Sequence, residues 1–295
     1  MRTPAGIAVL LLVSFVTFFA PAGLSLPAVA VGAEPAQAAR EVLSAAGVRG
    51  GLVVHLGCGD GRLTAALRAG EAYLVHGLAR DPRQVEKARA RVREAGLYGP
   101  VSVDAFDGTH LPYADNLVTL LVADDLGDVP HAEAMRVLAP GGVAMIGGTK
   151  TVNPRPDAID DWTHYLHDAT NNAVAEDTVV GPPRHIQWIS GPRFARSHDH
   201  LASTSAMVTS GGRLFSIVDE GSIAFVAASP AWRLVARDAF NGVRLWDREV
   251  SPWEYHLRDF RSGPADLARR LVAVGDRVYV TLGYGRPVTA LDAAP

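Results

Sequence analysis

Between Leu52 and Ile146 short apolar runs alternate with helix-forming stretches, and this alternation limits the fold more than any other feature. Leu52 to Leu56 is an apolar run closed by glycines, as a strand buried on both faces should be. Arg62 to Ala69 reads as a helix and Tyr73 to Leu78 as a second strand. Pro82 opens a helix at the position where proline is tolerated, and that helix runs to about Ala95 before Gly96. Val101 to Val103, Leu117 to Val122 and Gly142 to Ile146 follow as strands, with a helix at Ala132 to Leu138. Strands that alternate with helices predict an α/β fold, a Rossmann-like doubly wound parallel sheet. An Ala-rich helix at about Ala36 to Ala46 precedes it.

The pattern changes after Thr149. Residues 151–200 are rich in Asp, His, Asn and Pro and read as a polar linker, with one short helix expected around Trp162 to His167. Residues 201–295 read as all-β. Val208 to Ile217 is matched by Val272 to Thr281, and Val235 to Gly242 is echoed by Thr289 to Ala294. Each unit is strand, Gly turn, strand and Asp-centred turn, a repeat suggestive of propeller blades. A closed propeller has about four or more blades. The expectation is therefore an incomplete propeller belonging to a longer protein, with open strand edges that offer self-association.

The chain has 48% hydrophobic and 20% charged residues, which is globular composition, and a net charge of −3. That balance argues against nucleic acid as a partner, and the Arg- and Lys-rich stretch Arg80 to Arg93 reads as a solvated helix face. The one cysteine, Cys58, excludes an internal disulfide and a CxxC redox pair. At the N-terminus Arg2 precedes an uncharged apolar run, Ile7 to Phe19, and the small residues Ala28-Val29-Ala30 and Val31-Gly32-Ala33. This is signal-peptide patterning over residues 1–33, and it predicts export to the periplasm or medium. Pro21 and Pro27 break the stretch, so no stable membrane span is expected after cleavage; an uncleaved anchor is the alternative.

The string Val53-Val54-His55-Leu56-Gly57-Cys58-Gly59-Asp60-Gly61 carries G-x-G-x-G, one residue tighter than the dinucleotide fingerprint. It follows a strand and precedes a helix. It resembles the first motif of class I methyltransferases that use S-adenosylmethionine. Asp104-Ala105-Phe106-Asp107-Gly108 with Leu111-Pro112-Tyr113 resembles that family's segment after the third strand. Arg136 to Gly142 resembles its turn before the fifth strand, so the likeness covers about residues 40–149 of the unit at 34–150. The resemblance implies S-adenosylmethionine as cofactor. It implies His55, Gly57, Cys58, Gly59, Asp60, Gly61, the Ala79 position and Asp107 as cofactor-binding residues. Asp107 is the candidate for the adenine, with Phe106 as a stacking neighbour. The following helix N-terminus can favour the carboxylate of the amino-acid tail.

Two departures stand out. The family's second strand usually ends in a carboxylate that grips the ribose hydroxyls, and here Ala79 occupies that place. Asp81, two residues on, reads as a cap for the helix at Pro82. The antiparallel hairpin that usually follows the fifth strand reads here as linker.

Asp161, His164 and His167 have helical i, i+3, i+6 spacing, and Ser197-His198-Asp199-His200 adds imidazoles. Such residues can ligate metals, but the spacing is too loose to assign one, and a solvated linker anchored by Trp162 is the simpler account. Trp232 to Trp246 and Leu271 to Ala294 resemble quinoprotein-like propeller repeats, with Trp246 expected to wedge between blades. Quinone and calcium residues cannot be assigned. Two functions follow: methyl transfer to a small or surface-bound acceptor, with no catalytic residue named, or a non-catalytic exported scaffold. A nicotinamide-dependent dehydrogenase is disfavoured by the glycine spacing and by Ala79.

Overall fold

The computed structural model describes residues 35–182, 186–191, 204–224, 229–251 and 267–295. The expected leader and the His198–His200 cluster lie outside these residues. Among the described residues no helix is long and apolar enough to cross a membrane.

The first unit runs α1 (Pro35–Ala46), β1 (Gly51–Leu56), α2 (Arg62–Ala66), β2 (Tyr73–Ala79), α3 (Pro82–Glu94) and β3 (Val101–Ala105). It continues with β4 (Val118–Ala123), α4 (His131–Val137), β5 (Leu138–Ile146) and β6 (Thr149–Val152). The sheet order is β3-β2-β1-β4-β5-β6, and its five leading strands are parallel. All of β1 is buried because both of its faces are covered. Val53 packs with Val75, Leu120 and Val85 on one side, while Leu52, Val54 and Leu56 pack with Leu78, Leu121 and Val137 on the other. A strand covered twice reads as an unbroken apolar run, which is why no alternation is visible there.

Two expectations are corrected. β6 pairs antiparallel with β5, so the sheet ends in an antiparallel edge strand where a linker was expected. Its Thr-Lys-Thr-Val sequence is short and mostly exposed, typical of an edge and easily read as loop. No helix forms at residues 162–167. His167 adopts φ 72°, and its ring meets Asp160 at 2.6 Å. The Thr163 hydroxyl donates to the His167 carbonyl at 3.2 Å. Short polar side chains that bond nearby backbone compete with the helix ladder, and here they win.

The rest of the chain is two antiparallel sheets. β7 (Thr204–Ser210), β8 (Arg213–Asp219), β9 (Trp232–Asp238) and β10 (Arg244–Glu249) form a four-stranded meander. β11 (Leu271–Val274), β12 (Arg277–Thr281) and β13 (Val288–Asp292) form a three-stranded one. The sequence repeat is thus real as structure, since β7–β8 and β11–β12 are equivalent hairpins. The two sheets share one core around Phe215, Trp232, Leu234 and Val280. The Trp246 indole donates to the Ala293 carbonyl at 3.1 Å, tying the first sheet to the second. The described residues form no closed ring of blades.

Residues 160–168 bind the sheets together. Trp162 exchanges two hydrogen bonds with Thr209 of β7 (2.8 and 2.7 Å), and the Thr163 carbonyl accepts from Ala273 of β11 at 3.0 Å.

Candidate active site

The turn after β1 lies at the carboxyl end of the parallel strands, where ligands bind in open α/β sheets. Gly57, Gly59 and Gly61 have φ of 73°, 54° and 80°, a left-handed region that glycine enters freely. The N–H groups of Gly57 and Cys58 donate to the Leu78 carbonyl at 2.9 and 3.1 Å, which pulls the turn against β2. The three glycines have different tasks. A Cβ on Gly57 would meet nothing within 4 Å, and one on Gly59 only the Gly57 carbonyl at 4.0 Å. Both therefore border open space. A Cβ on Gly61 would come within 2.9 Å of Ala88, so this glycine lets α2 and α3 pack.

His55 and Cys58 lie beneath the turn. His55 is 6% exposed and its Nδ1 meets the Thr64 hydroxyl at 2.8 Å. Burial pulls its pKa down to about 4, against the opposing field of Asp124, so the ring is neutral. Burial pushes the Cys58 thiol up to about 11, which makes it a packing residue rather than a nucleophile. Asp60 accepts from the Arg62 N–H at 3.1 Å and pairs with its guanidinium at 3.2 Å. α2 is only five residues long, so it aligns few peptide dipoles and gives an anion little help.

On the β2 side Ala79 is buried at 2% exposure, and no carboxylate stands there. Asp81 accepts from the Arg83 N–H at 2.9 Å as the cap of α3 and does not substitute for one. Asp107 is exposed, and one carboxylate oxygen accepts from the Thr109 and His110 N–H groups, both at 2.7 Å. Those bonds hold its pKa well below the usual range, so it stays ionised. Phe106 packs half-buried against the core beside Leu111 and Val129.

Two arrangements escaped the sequence reading. Arg80 reaches across the sheet edge, donating to the Gly108 carbonyl at 2.6 Å and to Asp128 at 2.9 Å. The Tyr113 hydroxyl, His76 and Asp104 form a chain of 2.7 and 3.0 Å contacts that fastens the loop after β3 to β2. Burial lowers the His76 pKa, partly offset by Asp104. Neither has a motif spacing, because the partners come from separate strands and loops. Among the described residues no group of three or more His, Cys, Asp or Glu could hold a metal.

Residues 53–142 match the family model described as "Methyltransferase domain". Over that stretch the chain is similar to methyltransferase domains. Methyltransferase GfsG of Streptomyces halstedii is 38% identical over 97 residues, covering 30% of this chain and 34% of that protein. An uncharacterized methyltransferase of Mycobacterium marinum is 29% identical over 181 residues, covering 52% and 69%. The structure of geranyl diphosphate methyltransferase in complex with SAM aligns at 25% identity and a TM-score of 0.34, covering 38% of this chain and 48% of that one. The chain thus spans about a third of one curated relative and about two thirds of another.

The methyltransferase cofactor is S-adenosylmethionine, and the turn fits it. The backbone beside Gly57 and Gly59 is bare where a side chain would obstruct a ligand. The ribose end fits less well, because Ala79 offers no acceptor for hydroxyl protons.

Proposed function

We propose that this chain is an exported methyltransferase that moves a methyl group from S-adenosylmethionine to a small or surface-bound acceptor. The open glycine turn at Gly57–Gly61 carries this reading. S-adenosylmethionine supplies an electrophilic methyl on a sulfonium. The chain's own residues hold and orient it: the turn takes the amino-acid tail, and Phe106 and Asp107 border the adenine. In-line transfer depends mainly on placing donor and nucleophile in reach of each other, so no base from the chain is required. The leader at residues 1–33 supports export. The repeated hairpins β7–β8 and β11–β12 support a likeness to the blades of quinoprotein-like propellers.

The test is to incubate the full chain with methyl-labelled S-adenosylmethionine and candidate small-molecule acceptors, and to fractionate cells that produce it. Label transferred to an acceptor and a chain recovered outside the cytoplasm without residues 1–33 support the proposal. Binding without transfer to any acceptor points to a scaffold, and recovery in the cytoplasm refutes export.

A further inference from the structure

The stretch that follows β3 closes over one imidazole. His76 lies within β2, and its side chain is 18% exposed. Its Nε2 meets the Asp104 carboxylate of β3 at 3.0 Å, and its Nδ1 meets the Tyr113 hydroxyl at 2.7 Å. One ring therefore ties together both ends of residues 105–112. A carboxylate accepts and does not donate, so these partners assign the ring proton to Nε2 and leave Nδ1 to accept from the tyrosine O–H. Both bonds belong to the neutral ring. Behind Asp104 the Arg89 guanidinium pairs with that carboxylate and with Glu86. Burial lowers the His76 pKa against the opposing pull of Asp104.

A second anchor holds the same stretch from α4. Glu133 accepts from the Leu111 N–H at 2.8 Å, and Arg136 donates to the Tyr113 carbonyl at 2.9 Å. Arg136 pulls the Glu133 pKa down to about 2, so this anchor stays charged where histidine titrates. The imidazole anchor does not share that immunity. A proton on Nδ1 turns an acceptor into a donor, and the half-buried Tyr113 hydroxyl must then turn away and find another acceptor. Phe106 and Asp107 lie inside the tied stretch. We propose that His76 is a positioning residue for the ligand: its neutral ring, bonded to Asp104 and Tyr113, holds Phe106 and Asp107 in place for the adenine, and protonation of that ring weakens binding. This rests on the reading that Phe106 and Asp107 border an adenine.

The test is calorimetric titration of the full chain with S-adenosylhomocysteine between about pH 5 and 8, the range in which histidine titrates. The variants are His76→Phe, His76→Gln, Tyr113→Phe and the His76→Phe/Tyr113→Phe double variant, each titrated at a temperature where its melting curve shows it folded. His110, whose Nδ1 lies 3.2 Å from Asp107, is a second imidazole in the stretch. The pH response is therefore read as a difference between wild type and variants. Affinity about tenfold weaker is expected in His76→Phe, with a similar loss in Tyr113→Phe and no further loss in the double variant. His76→Gln keeps a donor and an acceptor without titrating, so it should retain part of the affinity and lose part of the fall seen in wild type towards acid pH. A lowered melting temperature with unchanged affinity and pH slope would assign the contact to folding alone and overturn the proposal, as would additive losses in the double variant. If His76→Phe does not fold, Tyr113→Phe, which removes one oxygen and keeps the ring, gives the same decision. If wild type binds no S-adenosylhomocysteine, the adenine reading falls and takes this proposal with it.

Discussion

The two ends of the parallel sheet are built in opposite ways. At the carboxyl end the turn at Gly57–Gly59 borders open space, and the charged groups around it are exposed. At the amino end the Asp238–Gly242 turn of the β region is inserted against β1 and β4. Asp238 is 8% exposed, and its carboxylate accepts from the Thr119 hydroxyl at 2.8 Å and from the Phe240 N–H at 2.9 Å. Thr119 in turn accepts from the Leu52 N–H at 3.1 Å and from the Asn241 amide at 2.9 Å. Trp188 covers Gly242 and donates to the Ala239 carbonyl at 3.0 Å. A cavity of about 430 Å³ lies beside this contact, lined by Arg49, Arg213, Asp238 and Asp276, and it is at the end away from the glycine turn. Among the described residues the β region packs on the amino end of the sheet and leaves the carboxyl end, with its glycine turn, open.

Substitutions at the two edges should therefore separate folding from binding. The largest effect is expected for Gly51→Val. Gly51 has φ 104°, and a Cβ there would overlap Thr119 and approach Asp238 at 2.9 Å. Steric overlap plus backbone strain should cost about 4 kcal/mol or more, read as loss of folded protein in urea denaturation. Asp238→Ala follows at about 2–3 kcal/mol, because it leaves the Phe240 N–H and the Thr119 hydroxyl buried without their acceptor. An Asp238→Ala chain with an unchanged urea midpoint would break the claim that this edge is the stabilising one. Gly59→Val should cost only about 1–2 kcal/mol, the penalty of a left-handed backbone, while abolishing cofactor binding.

The smallest effect concerns pH. The Asp160 carboxylate raises the His167 pKa above its ordinary 6.5. Protonated His167 thus favours the folded state. Its contribution is complete below about pH 6.5 and is lost as pH rises through the elevated folded value. Melting temperatures should fall across that interval in wild type and stay flatter in His167→Gln. An equal slope in both would remove His167 from the docking of residues 160–168.

Much of this division was legible in the sequence. The strand–helix alternation, the glycine turn and the hairpin repeat all rest on local patterns, and the structure contains each of them. The missing acid at Ala79 and the capping by Asp81 could likewise be read from their position before Pro82. The failures involve non-local causes. β6 is too short and polar to show a period, and it exists because β5 offers it an edge. The helical spacing of Asp161, His164 and His167 was overridden by side-chain bonds to the backbone and by hydrogen bonds to the antiparallel sheets. Arg80 gave no signal because its partners, Gly108 and Asp128, lie 28 and 48 residues further along.

The most direct measurement is calorimetric titration of the full chain with S-adenosylhomocysteine, comparing wild type, Gly59→Val and Thr119→Val. The account predicts micromolar binding in wild type, its loss in Gly59→Val, and its retention in Thr119→Val despite lower stability. Undiminished binding in Gly59→Val, or none in wild type at millimolar ligand, would contradict it.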